Sequence, residues 1–345
     1  MKKKILLMGR SGSGKTSMRA LVFSAYKAAD TARLGQTVDV EHSHVRFLGN
    51  LVLNLWDCGG QQAYMSNYID SKRHTVFTAV GVLIYVFDLV GEDSEEWDKD
   101  VRSYKDCLSA LQTNSPDAHV FCLLHKMDLV EASRRRSVYA SRVEELQKKS
   151  EGTTIHCFAT SIWDETIYKA WSRIIHTLIP NVSDLERHLS LFARTNSAAE
   201  VVVFERSTFL VISRSTAKNL LSPNGGTENK GPVEYTSSDE DNDELLGFPP
   251  SSDKESSSQL SPGRFGKISQ MVKSLRLVCS KLQSHFQAIE IQGATFAAYL
   301  DVLTPNTYIM VVTTDPRIEL GAIKLNVHLA RDQFEKLQAL NISSR

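Results

Sequence analysis

The chain has 345 residues, 42% of them apolar and 23% charged, the composition of a water-soluble globular protein with room for two cores. Lys plus Arg and Asp plus Glu number 40 each, so no global field directs the chain to nucleic acid or to a lipid surface. The five cysteines (Cys58, Cys107, Cys122, Cys157 and Cys279) lack metal-ligand spacing, which argues against a disulfide framework or a zinc site and for a reducing cytosol.

From the N-terminus, MKKKILLMG has the charge of a signal peptide but an apolar run too short to act as one. Lys2 stands where myristoylation needs Gly, and NISSR at the end carries no prenylation box. No run of 18 apolar residues exists, so direct membrane insertion is not expected. KILLM, HVRFLG, LVLNLW, GVLIYVFD, HVFCLL and TIHCFA read as six strands across residues 1–180. The second and third fold back around Gly49-Asn50 as a hairpin. Helical stretches separate the others, which implies crossovers and a mostly parallel α/β sheet covered on both faces. RRR at 134–136 reads as an exposed helix start.

A second, smaller α/β domain is expected over 183–345. VVVFE and STFLVIS form a tight hairpin around Glu205-Arg206, followed by a helix over 264–288, strands over 295–303 and 307–313, and a helix over 321–340. Between them, about 215–262 is rich in Ser, Pro, Gly and acids with almost no apolar periodicity, and reads as a disordered insertion in one loop. Within it Ser237 and Ser238 precede a run of acids, which fits either a solvated loop or sites for an acid-directed kinase.

Three motifs carry chemistry. GRSGSGKT at 9–16 fits the phosphate-binding pattern through Gly9, Gly14, Lys15 and Thr16, after a strand and opening a helix. Glycines let successive N–H groups point at phosphate oxygens, Lys15 reaches the outer phosphates, and the Thr16 hydroxyl takes a magnesium position. Asp57-Cys58-Gly59-Gly60 ends a strand with an acid suited to hold Mg2+ through water. Gln61 follows, where an amide can orient attacking water. In His125-Lys126-Met127-Asp128 the Asp128 carboxylate can accept from N1–H and the 2-amino group of guanine. Adenine offers no such donors, and an unpaired buried group costs about 1–3 kcal/mol.

In order and spacing these motifs resemble the Ras-like GTPase superfamily. LGQTVDVEHSHVRFLGNLVLNLWDCGGQ, HKMDL, TSIWDETIYKAWS, LIPNV and FERSTFLVIS narrow the resemblance to Rag GTPases of the RagA/RagB type, whose fungal form is called Gtr. It covers nearly the whole chain outside 215–262. It implies that Ser11, Gly12, Ser13, Gly14, Lys15, Thr16 and Ser17 hold the phosphates of GTP or GDP. Thr37 would complete Mg2+ coordination with Thr16 and Asp57, and Thr31 would lie near the sugar or phosphates. Gly60 and Gln61 would form the second switch, with Gln61 catalytic. His125, Asp128 and Ile162 would surround the guanine. The base motif of the wider superfamily begins with Asn, and its Ser-Ala-Lys loop is here Thr160-Ser161-Ile162.

The resemblance further implies a roadblock-like dimerisation domain and an obligate heterodimer with a RagC/RagD-type subunit. A lipidated membrane scaffold would hold it at the cytosolic face of the vacuole or lysosome. There it would signal amino-acid sufficiency to the TOR kinase complex, under activating and exchange factors. With no evident arginine finger in the chain, slow intrinsic hydrolysis is expected. Alternatives are a dimerising scaffold with a structural nucleotide site, and an ATPase with a similar loop.

Overall fold

A computed structural model describes residues 2–24, 26–35, 41–46, 52–58, 74–89, 94–150, 152–179, 182–216, 264–284 and 286–340. Two compact units emerge, dividing between Ile174 and Ile175.

The first unit carries a six-stranded sheet in the order β2-β3-β1-β4-β5-β6. Its strands are β1 (Lys2–Met8), β2 (Glu41–Arg46), β3 (Val52–Asp57), β4 (Val80–Asp88), β5 (His119–His125) and β6 (Ile155–Thr160). All pairs are parallel except β2–β3, where Glu41 faces Asp57 and Arg46 faces Val52. The central strands carry continuous apolar runs where helices cover both faces. Ile5, Leu6 and Leu7 of β1 and Val82 to Phe87 of β4 are fully buried. The helices are α1 (Lys15–Phe23), α2 (Ser94–Asn114), α3 (Arg135–Lys149) and α4 (Thr166–His176). On α4 the buried Trp171 meets Phe23 of α1 edge-on at 4.9 Å. Strand β1 lies between β3 and β4, so the order reverses at its C-terminal end, where open α/β sheets form their ligand crevice.

The second unit carries an antiparallel sheet in the order β8-β7-β11-β10-β9. Its strands are β7 (Glu200–Glu205), β8 (Val211–Thr216), β9 (Ile289–Gln292), β10 (Ala297–Thr304) and β11 (Thr307–Thr313). Its helices are α5 (Val182–Thr195), α6 (Arg264–Lys281) and α7 (Leu320–Leu340). Pro305-Asn306 closes the β10–β11 hairpin, with Thr304 and Thr307 hydroxyls 2.7 Å apart beneath it.

Several elements depart from the sequence reading. Strand β2 starts at Glu41 and ends at Arg46, three residues ahead of HVRFLG, and the Gly49-Asn50 turn lies outside the described residues. Strand β7 runs through Glu205, and the hairpin turns over 206–210 rather than at Glu205-Arg206. The buried Glu205 carboxylate accepts from Thr208 N (2.6 Å) and Thr208 Oγ1 (2.7 Å), which fixes that longer turn. The helix expected over 264–288 stops at Lys281 and gives way to β9, and α5 is an additional helix. Most of the expected insertion lies outside the described residues.

Candidate guanine-nucleotide site

The loop between β1 and α1 is shaped by what it must pass. At Gly9, φ +137°, a Cβ would lie 2.3 Å from the Val86 carbonyl oxygen on β4. At Gly14, φ +94°, it would lie 2.7 Å from the His125 ring. A side chain at either position would push the loop off the sheet. Lys15 is 6% exposed and donates from Nζ to the carbonyls of Gly9 and Arg10, each at 2.8 Å. Ser13 is buried, with Oγ 3.5 Å from the same ammonium, while Ser11, Thr16 and Ser17 are half-buried and Gly12 is exposed. Helix α1 starts with no side-chain cap and no acid in its own first turn, so no side chain of the helix itself satisfies its N-terminal N–H groups.

Asp57 is fully buried at the end of β3. Its Oδ2 accepts from Thr16 Oγ1 at 3.0 Å and lies 3.2 Å from Arg19 Nε. Its Oδ1 has no hydrogen-bond partner among the described residues. Burial pushes the Asp57 carboxyl up against the pull of Thr16, Arg19 and Lys15, and burial pushes the Lys15 ammonium down. In both, burial of the charge is the larger effect and outweighs the opposite charges around it. Arg19 also reaches Ser43 Oγ (3.0 Å) and pairs with Glu41, tying β2 to the same carboxylate.

On the base side His125 is 1% exposed, with Nδ1 2.9 Å from Thr160 Oγ1 and the other edge of its ring against Gly14. Burial, with Lys126 beside it, holds its pKa down to about 4, so the imidazole is neutral at pH 7. The ring therefore lies between the phosphate loop at Gly14 and the end of β6 at Thr160. Asp128 is half-buried in a 3-10 turn, Met127–Leu129. Arg135 secures that turn by donating to the carbonyls of Asp128 (3.1 Å) and Val130 (3.0 Å). The half-buried Ile162 sits in a loop fixed by Ser161 N to Thr166 Oγ1 (2.9 Å) and by Asp164, which accepts from Thr166 N (2.9 Å).

Thr31 lies in a separate 3-10 turn, Ala28–Arg33, buried and donating from Oγ1 to Ala28 O at 2.7 Å. Thr37, Gly60 and Gln61 lie outside the described residues. Two contributors were missed by motif reading. Asp88, at the end of β4, accepts from Lys126 Nζ at 2.8 Å and lies 3.6 Å from Arg10 Nη2. Arg19 is the other. For Asp88 a signal existed, an acid closing the apolar run GVLIYVF just as Asp57 closes LVLNLW.

Residues 4–233 match the family described as Gtr1/RagA G protein conserved region. The chain belongs to the Gtr1/RagA family. Over 97% of its length it is 47% identical to "Ras-related GTP-binding protein A" of Dictyostelium discoideum, covering 98% of that protein. It is 49% identical to "GTP-binding protein gtr1" of Schizosaccharomyces pombe, over 97% of this chain and 96% of that one. Similarity to "GTP-binding protein GTR2" of Saccharomyces cerevisiae is lower, 28% over 61% of this chain and 60% of that protein. This Gtr1/RagA chain is accordingly a guanine-nucleotide-binding protein and a GTPase. No helix among its described residues is long and apolar enough to cross a membrane.

Proposed function

We propose that the chain is a magnesium-dependent switch whose GTP and GDP states are read by protein partners. The buried Asp57 Oδ1, which has no hydrogen-bond partner among the described residues, beside the Thr16 hydroxyl and the Lys15 ammonium, carries this reading. That donor set suits a hard divalent cation next to phosphate. Thr16, Thr37 and, through water, Asp57 would hold Mg2+, which supplies positive charge against the phosphates. Ser11 to Ser17 would wrap the phosphates, with the α1 N-terminus behind them. Asp128 would select guanine by accepting from its N1–H and 2-amino group, with Ile162 against the base. Thr31 would lie by the sugar or phosphates. Gly60 and Gln61 would form the second switch, Gln61 orienting water for attack on the γ-phosphate.

On the same reading the chain is the RagA/RagB-type member of a heterodimer with a RagC/RagD-type subunit, joined through its roadblock-like second domain. A lipidated scaffold holds the pair on the vacuole or lysosome, where it reports amino-acid sufficiency to the TOR kinase complex. Similarity to both Gtr1-type and Gtr2-type proteins supports a partner built on the same plan.

Competition binding to the purified chain tests the site. GTP and GDP are expected to displace a fluorescent guanine nucleotide, with Mg2+ chelation speeding release. Turnover is expected to be slow without an activating protein. Equal displacement by ATP would overturn the role given to Asp128.

A further inference from the structure

Arg19 belongs to none of the three motifs, yet it reaches the carboxylate proposed to hold magnesium. It follows Thr16 by about one turn of α1, so the two side chains share a face of the helix. Both meet the same atom. Asp57 Oδ2 accepts from Thr16 Oγ1 at 3.0 Å and lies 3.2 Å from Arg19 Nε. Asp57 Oδ1 has no hydrogen-bond partner among the described residues. The carboxylate is thus held by one oxygen only.

The other end of the guanidinium faces β2. Nη1 donates to Ser43 Oγ at 3.0 Å, and Nη2 donates to the Glu41 carboxylate. Glu41 and Asp57 stand opposite each other in the antiparallel β2–β3 register, and like charges placed so are unfavourable by themselves. Arg19 lies on both acids, so one cation offsets the two and fastens edge strand β2 to Asp57. Glu41 follows Thr37, the proposed switch ligand, by four positions in the chain. A planar fork meets several groups at once, which an ammonium on a flexible stem does not reproduce.

We propose that Arg19 is a positioning residue for magnesium. It fixes Asp57 through Oδ2, which leaves Oδ1 available to the magnesium site, and ties the strand that continues from Thr37 to the same carboxylate. The guanidinium charge alone would act in the opposite sense, because a positive group beside Asp57 repels a second cation. That charge is shared between Asp57 and Glu41, so its repulsion is small and the positioning effect wins. This rests on the magnesium-switch reading above and names the residue that sets its Mg2+ dependence.

The test uses the full-length chain loaded with a fluorescent GDP analogue. Release is timed at a series of buffered free Mg2+ concentrations, and the reading is the concentration that gives half-maximal slowing. Arg19→Met keeps most of the stem and removes the fork, and should need about tenfold more Mg2+, as expected when a partner of a ligating carboxylate is lost. Arg19→Lys should recover part of that loss, since it restores the charge without the fork. Ser43→Ala removes one neutral hydrogen bond to the guanidinium and should raise the midpoint roughly threefold. If Arg19→Met holds no nucleotide, Arg19→Lys and Ser43→Ala carry the same comparison.

A lower midpoint in Arg19→Met would show Arg19 competing with Mg2+ and overturn the proposal. An unchanged midpoint with a lower melting temperature would do the same, leaving Arg19 a packing residue. A wild-type midpoint in Ser43→Ala would remove the tie to β2. Wild-type release that ignores Mg2+ would remove the magnesium site and the role of Arg19 with it. Wild-type release that depends on Mg2+, with all variants alike, would remove Arg19 alone.

Discussion

Asp88 and His125 each join parts of the site that the chain brings from different strands. Asp88 sits 2.8 Å from Lys126, next to His125 in the base loop, and 3.6 Å from Arg10 in the phosphate loop, with its side chain only 5% exposed. Removing one partner of a buried pair costs more than an exposed bridge because the remaining charge is left desolvated. Asp88→Asn is therefore expected to speed release of GDP and GTP about tenfold, roughly 1.4 kcal/mol. Adding Lys126→Met to Asp88→Asn should cost less than the sum of the two single changes, since one contact is already gone. Stopped-flow displacement of a fluorescent nucleotide checks both, and independent, additive effects would remove the coupling. His125 offers a pH test. Its folded pKa of about 4 lies below the usual 6.5, so between those values the unfolded chain binds the extra proton. Stability must fall as pH drops through that window, by at most about 3 kcal/mol from this residue. His125→Asn, which cannot titrate, should flatten urea-unfolding stability between pH 6.5 and 4.5 relative to wild type.

At the scale of elements, the junction of phosphate loop and α1 is the least forgiving point. Gly14→Ala places a Cβ against the buried His125 ring and asks a side chain to adopt φ +94°, a left-handed conformation costing about 1–2 kcal/mol by itself. The loop should shift and guanine-nucleotide affinity fall more than tenfold in equilibrium binding, while far-UV circular dichroism stays close to wild type. The same junction was legible from sequence because the motif's glycines and Lys15 have fixed mechanical tasks. The buried strands β1, β4 and β5 were legible because parallel strands covered on both faces are continuously apolar. Strand β2 was misplaced for the opposite reason. EHSHVR is an edge strand whose polar residues serve Arg19, through Glu41 and Ser43, so it shows no apolar alternation. Strand β9 is four residues long with three of them exposed, too short and too polar for a periodic signal. In the site, Lys15, Thr16 and Asp57 could be read from spacing, whereas the Asp88–Lys126 pair depends on the adjacency of β4 and β5, which no local pattern encodes.

For the whole molecule, the competing readings differ in whether the nucleotide in the first unit changes what a partner sees. A structural nucleotide would hold the sheet together and leave association unchanged between states. A switch must bind its partners with different affinity in the two states, since a ligand with no differential effect shifts nothing. Gln61→Leu separates them, because Leu keeps the bulk of the side chain but loses the amide proposed to orient water. The variant should retain GTP through incubations in which wild type converts it to GDP, as read by chromatography of the bound nucleotide. With wild type held in GDP and the variant in GTP, pull-down from cell extract should then recover different partner sets. Trapped GTP with identical partners would favour the scaffold, and unchanged hydrolysis would remove Gln61 from the catalytic role. A lost subunit dimer in the GTP-trapped variant would show that the nucleotide governs assembly itself. A retained dimer with altered outside partners would confine its effect to the surfaces around the nucleotide.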